Sequence, residues 1–302
     1  MKKLGKIVLS IIVVCMIIGL AANLIHTGNV DVLNPKGIIA DQQRNLLVFT
    51  VMLSLLVVIP VFTLLAIISW KYRAGNTKAV YRPDWGNNKW LELAWWGIPC
   101  IIIFILSVVT WTSSHELDPY RALQSDKKPV NVQVVALQWK WLFIYPDYNI
   151  ASVNELRIPN QIPINFTITS DAPMNSFWIP SLGGQIYAMS GMSTKLHLMA
   201  DKEGTYKGSS ANISGEGFAK MKFATIASSQ SDFDAWVKKA QISATSLNQS
   251  SYDELAKPKA GAVTYYSLST PNLYDTIVMK YMMPATSTHT DSSMSMSSGG
   301  MN

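Results

Sequence analysis

Two stretches without a single charged side chain, residues 46–69 and 93–112, constrain this chain more than any other feature. They are 24 and 20 residues long, and about 20 apolar residues suffice for a helix to cross a bilayer. In hydrocarbon every backbone N–H and C=O must be satisfied within the segment, so each stretch predicts a transmembrane helix, over 45–70 and 91–112. Pro60 and Pro99 fall inside them and are tolerated where neighbouring groups satisfy the freed carbonyls. Trp70, Trp90, Trp95, Trp96 and Trp111 gather near the ends, as interfacial anchors do.

Charge sets the orientation. The formal charge of +6 resides entirely in Lys2, Lys3 and Lys6 and in the stretch 70–92, at +3 each. From residue 113 onward, 15 basic side chains meet 15 acidic ones. The basicity is therefore a topology signal and excludes nucleic acid as a partner. Residues 71–90 are expected in the cytoplasm, with the short segment 23–44 and everything after 113 outside. Residues 1–22, a basic start before an apolar run, have the shape of a signal peptide or an N-terminal anchor. Cys15 within that run lacks the small preceding residue of a lipidated cysteine, since Ile12, Val13 and Val14 stand there. Both cysteines, Cys15 and Cys100, lie in apolar runs, so the outer part has neither a disulfide framework nor a thiolate metal site.

The outer part reads as β. Residues 131–145 are rich in valine and aromatics, and Ile164, Phe166 and Ile168 alternate, as do Leu196 with Leu198 and Met221 with Phe223. Pro146, Pro180, Gly183, Gly204 and Gly215 punctuate these runs, which predicts a sandwich of short strands over 113–240. Residues 232–240 predict a helix with Phe233, Trp236 and Val237 on one face. An aromatic-rich C-terminal segment follows over 241–285, with Tyr265, Tyr266 and Tyr274, and then a Ser/Met-rich tail, 286–302, expected to be disordered.

Two spans, an outer sandwich opened by Trp139-Lys140-Trp141, and the frame in residues 175–221 together resemble subunit II of the haem–copper respiratory oxidases. The resemblance covers residues 34–240 and implies a membrane-anchored α + β chain with a cupredoxin-like β-sandwich. Members that accept electrons from cytochrome c carry two coppers there. Their ligands are a histidine before Ser-aromatic and a loop reading Cys-x-Glu-x-Cys-x-x-x-His-x-x-Met. Here Asn175, Ser210, Asn212, Ser214 and Phe218 stand at those positions, and Met221 alone keeps a ligand type. Without thiolate or imidazole the two-copper centre cannot form. The intact frame with lost ligands, residues 33–37 (LNPKG) and residues 174–187 are similar to the bo-type ubiquinol oxidase subunit II family. That family often lipidates a cysteine just ahead of Pro-Lys-Gly, whereas residues 26–31 contain none.

The resemblance implies a subunit without a complete active site of its own, in a proton-translocating quinol oxidase of a bacterial inner membrane. Cofactors are expected in the partner, subunit I, which would hold the haems and one copper; metal and cofactor ligands are expected nowhere in this chain. Further partners would be small membrane subunits, lipid and the quinol bound by the complex. Glu92, seven residues before Pro99, matches a glutamate at the entrance of a subunit I proton channel. The plainer reading is an acid favoured by the helix dipole. Trp139 and Trp141 read as packing residues, His197 as an exposed strand residue, and His26, His115 and His289 as scattered. Two rival functions remain at this point. One is a cytochrome c oxidase subunit II; the other is a free-standing scaffold or copper-handling protein using His289 and the Met-rich tail.

Overall fold

The structure, a computed structural model, describes Gly19, Asn23 and residues 30–80, 86, 88–242 and 245–282. The expected anchor, apart from Gly19, and the expected tail lie outside the described residues.

Helix α1 runs Ile38–Lys71 and α2 runs Lys89–Glu116, both longer than the charge-free stretches that predict them. The extra turns are polar. Asp41, Arg44 and Asn45 extend α1 beyond its apolar run, and the Asp41 carboxylate holds Arg44 at 3.2 Å. A helix continues past the hydrocarbon wherever its residues favour it, so hydropathy marks the apolar part of a span and not its ends. The most apolar windows of these two helices have mean hydropathy 2.9 and 2.2, and none of that surface is buried within the chain.

The strands are β1 Val130–Leu137, β2 Lys140–Tyr145, β3 Ile150–Val153, β4 Glu155–Pro159, β5 Ile164–Ser170 and β6 Asn175–Trp178. They continue as β7 Ile186–Ala188, β8 Thr194–Leu198, β9 Gly204–Ser210, β10 Lys222–Ser228, β11 Ser246–Leu247 and β12 Thr264–Leu268. Helices α3 Gln230–Gln241, α4 Gln249–Ala256 and α5 Leu273–Met279 complete the chain. One sheet has the order β11-β12-β3-β2-β1-β5-β8 and the other β4-β10-β9-β6-β7. Two apolar helices followed by a β-sandwich is the architecture expected from the sequence.

Between the sheets lies an aromatic core. Phe177 and Phe223 stack at 5.3 Å, and Trp141 meets each edge-on at 5.5 and 5.7 Å. Along β1 and β2 the residues alternate between two cores. Val134, Ala136, Trp141 and Phe143 face the opposite sheet, while Val135, Leu137, Leu142 and Ile144 face Leu247, Tyr252, Leu273 and Ile277. These strands are buried on both faces, which explains why their sequence is almost continuously apolar. The segment after 240 is thus no appendage: β12 pairs with β3, and its helices cover the outer face of the larger sheet. The segment that begins at 241 shares the larger sheet with the strands before it.

Helix α1 is tied to the sandwich by the residues just before it and in its first turn. Lys36 N–H donates to Ser181 O at 2.7 Å, Asp201 N–H to Lys36 O at 2.8 Å, and Ala40 N–H to Leu182 O at 3.1 Å. Gly37 lies between them in an isolated bridge with Ala200. A Cβ at Gly37 would press into the carbonyl oxygen of Met199, a backbone atom that cannot rotate away. The backbone at Lys36 and Gly37 is therefore docked on the loops at 181–182 and 199–201, directly before α1.

Candidate functional site

The frame that resembles a two-copper site occupies one corner of the sandwich. Strand β6 brings Asn175, β9 ends at Ser210, and the β9–β10 connection carries Asn212, Ser214 and Phe218 before Met221. Pairing of Phe177 with Ser210 sets the two sides in register. Asn175 is buried, and its Oδ1 accepts from Ser210 Oγ at 3.0 Å and from Ser214 Oγ at 2.8 Å. Its Nδ2 donates to Pro173 O at 2.7 Å. Asn212 reaches back to donate to Met174 O at 2.9 Å, Met221 is buried, and Phe218 is half-buried. The corner is thus closed by neutral hydrogen bonds among the side chains that stand where ligands would. Hydroxyls and amides are hard donors, unlike the bridging thiolates and imidazoles a two-copper centre requires, so these residues do not fit that group. Among the described residues no cluster of His, Cys, Asp or Glu could hold a metal ion.

The loop of this corner rests on Trp139. Gly215, at φ +133°, and Gly217 lie so close to the indole that a Cβ on either would collide with it. Trp139 itself sits at φ +120°, in the turn between β1 and β2, a conformation that costs a non-glycine residue of order 1–3 kcal/mol. The contact with the loop helps to hold it there. Trp141 is fully buried in the aromatic core.

Glu92 lies in the first turn of α2 and is half-buried. Asn88 caps this helix, its Oδ1 accepting from Trp90 N–H at 3.0 Å and Leu91 N–H at 3.2 Å. Seven residues are almost two helical turns, so Glu92 and Pro99 share a face, about 10 Å apart along the axis. Glu92 and the sandwich corner belong to different elements, and no contact among the described residues brings them together.

Three polar anchors carry little signal in the sequence. Buried Asp171 accepts from Tyr252 at 2.7 Å, Lys280 at 2.8 Å and Tyr281 at 2.5 Å, clasping the C-terminal segment to the sandwich. Burial would raise its pKa, but the three hydrogen bonds and the charge of Lys280 more than offset this and hold the carboxyl below its usual range. Buried Lys140 donates to Lys257 O at 3.1 Å; desolvation, aided by Lys259, lowers its pKa. Asn154, at φ +55°, accepts from Trp141 N–H at 2.8 Å and donates to Gly261 O at 2.7 Å. All three bind partners more than 80 residues away along the chain. Only the turn residues around Asp171 and Asn154 could have drawn attention to them. His197, expected to be exposed, is half-buried, with Nδ1 at 2.8 Å from Asn165 Oδ1. Burial, with Lys195 nearby, lowers its pKa.

Comparison with known proteins adds the following. The family described as cytochrome c oxidase subunit II, periplasmic domain, matches residues 149–228, and the aromatic-rich motif of the same oxidases matches 241–285. The chain is 50% identical over 249 residues to the cytochrome bo(3) ubiquinol oxidase subunit 2 of Pseudomonas aeruginosa, covering 82% of this chain and 75% of that one. It is 46% identical to the ubiquinol oxidase subunit 2 of Acetobacter aceti, covering 87% of each. The quinol oxidase subunit 2 of Bacillus subtilis is 41% identical, covering 84% of this chain and 78% of the relative.

Proposed function

Because this chain belongs to the quinol oxidase subunit 2 family, we propose that it serves a proton-translocating quinol oxidase as a subunit with no active site of its own. The observation that carries this reading is the corner at Asn175, Ser210 and Ser214, where hydrogen bonds stand in place of metal ligands. Electrons then have no port in the outer domain and must reach the oxygen-reducing centre from quinol through another subunit. Partner subunit I would hold the haems and a single copper, which supply the redox chemistry when bound.

On this reading the chain's own work is mechanical and protonic. Helices α1 and α2 present an apolar surface, none of it buried within the chain, to lipid and to membrane partners, subunit I and smaller subunits. The dock at Lys36 and Gly37 holds the sandwich over the outer end of α1. Orientation follows from Lys71, Arg73, Lys78 and Lys89, which place residues 71–90 in the cytoplasm and the sandwich outside the inner membrane. Glu92 then lies at the cytoplasmic end of α2, where a carboxylate can capture protons for a channel in subunit I.

Purification of the complex through a tag on this chain tests the reading. Haem-bearing partners, quinol-dependent oxygen consumption and one copper per complex, retained when this chain is removed from subunit I, are expected. Copper that leaves with this chain, or a chain that purifies alone, would overturn it.

A further inference from the structure

A polar cavity of about 380 Å3 lies where the outer end of α1, the segment after α2 and the sandwich meet. Gln42 and Gln43 of α1 form one wall, Glu116, Asp118 and Arg121 a second, and Gln185 with His197 the third. Its level relative to the bilayer follows from the spans, and in this the inference rests on the proposed membrane insertion. Gln43 is three residues outside the charge-free stretch that begins at Leu46, and Glu116 is four beyond Thr112. At 1.5 Å per residue both stand about 4.5–6 Å outside the hydrocarbon. The head-group layer adds roughly 5–8 Å on each side of the core, so the cavity opens in that layer.

The lining is chemically uncommitted. Among the described residues Glu116, Asp118 and Arg121 form no ion pair, although they share one cavity. Arg121 reaches only the His115 carbonyl, at 3.4 Å, and Asp118 accepts from Tyr120 N–H at 2.9 Å. The side-chain amides of Gln42, Gln43 and Gln185 hold no hydrogen bond among the described residues. Gly184 lies against this wall, 3.0 Å being the distance from a Cβ placed there to the Gln43 amide.

We propose that this cavity binds the head group of a zwitterionic phospholipid, with Arg121 and the glutamine amides taking the phosphate diester and Glu116 and Asp118 the ammonium. One guanidinium with several amide donors matches a monoanionic phosphate, and two carboxylates nearby favour a cationic end and disfavour an anionic lipid. A cavity of this size lies within the usual range for a small-molecule site. The bound lipid would fill the angle between spans and sandwich and stiffen the joint at Gly37.

The test is native mass spectrometry of the delipidated complex, titrated with phosphatidylethanolamine, phosphatidylglycerol or inorganic phosphate. The same titration on the full-length chain alone reads the cavity even if no haem-bearing partner co-purifies, which separates failure of this proposal from failure of the proposed function. One phosphatidylethanolamine per chain is expected, bound about tenfold more weakly by Arg121→Ala and recovered by Arg121→Lys. Phosphatidylglycerol and millimolar phosphate should not displace it. Equal binding by parent and Arg121→Ala would overturn the proposal, as would displacement by phosphatidylglycerol at parity or by phosphate. A photo-crosslinker at Gln185 should capture lipid in the complex; capture of another subunit would show that protein fills the cavity instead.

Discussion

Ser210 donates a hydrogen bond to Asn175 across 3.0 Å, from the end of one strand to the start of another 35 residues earlier. Both groups are buried. Ser214 donates to the same oxygen at 2.8 Å, so one amide carbonyl ties the strand and the loop of this corner together. The corner keeps its shape through neutral hydrogen bonds, and their removal has a defined consequence. Asn175→Ala leaves the Ser214 hydroxyl without its acceptor, while Ser210 keeps the Asn212 carbonyl at 3.2 Å, and is expected to cost about 1–3 kcal/mol of stability, read from denaturant unfolding of the full chain.

Copper binding offers a sharper test of the same corner. The parent chain should stay colourless and retain no stoichiometric copper after dialysis against copper salts. Ser210→Cys or Ser214→Cys alone should not change this, because both thiolates are needed to bridge two metals. The combination Asn175→His, Ser210→Cys, Asn212→Glu, Ser214→Cys and Phe218→His is expected to restore an intense thiolate–copper absorption. A purple parent protein would show that the corner holds metal without them.

Asp171 makes the attachment of the C-terminal segment pH-dependent. Its folded pKa is held below the unfolded value near 3.9, so its stabilisation is fully present above about pH 4 and is lost as pH falls through the folded pKa. Hydrogen exchange of residues 249–281 should accelerate in acid before the core strands β1 and β2 do. Asp171→Asn removes the charge that Lys280 and Tyr281 address and should give the same loosening at neutral pH. Unchanged protection in that variant would mean that packing of Tyr252 and Ile277 suffices.

Gly37→Ala should loosen the spans from the sandwich. The added methyl meets the Met199 carbonyl, and overpacking of this kind costs about 1–3 kcal/mol. Limited proteolysis between α1 and the sandwich should become faster. Equal rates would show that the bridge at Gly37 shifts without penalty.

Orientation is checked with Asn76→Cys. A membrane-impermeant thiol reagent applied to intact cells should leave it unlabelled and should label it after lysis. Labelling from outside would reverse the proposed topology.

Glu92 separates two readings by kinetics. If it captures protons, Glu92→Ala and Glu92→Gln should slow quinol oxidation while the complex and its haem spectrum stay intact, and Glu92→Asp should recover part of the rate. Parent rates in all three would leave Glu92 as an acid that simply suits a helix N-terminus.

The apolar helices, the sandwich and the spacing of its corner at residues 175–221 were legible because each depends on local chemistry. Charge-free length determines a helix in lipid, period-2 alternation determines a half-buried strand, and fixed spacing in residues 210–221 carries the resemblance to a ligand frame. The apolar run over 131–145 was legible too, and the fold buries both of its faces. What covers that second face was not. Strand β12 and residues Tyr252 and Ile277 come from more than 100 residues later, and no periodicity states where a segment will dock. The same holds for Asp171 with Lys280, for Gly37 against Met199, and for the cavity shared by Gln43, Arg121 and Gln185. Each joins side chains from separate elements, and only the closed chain fixes their distances. Sequence pattern determines which faces must be buried or wet; tertiary packing decides which partners meet there, because hydrogen bonds and ion pairs act over a few ångströms and chain separation carries no distance.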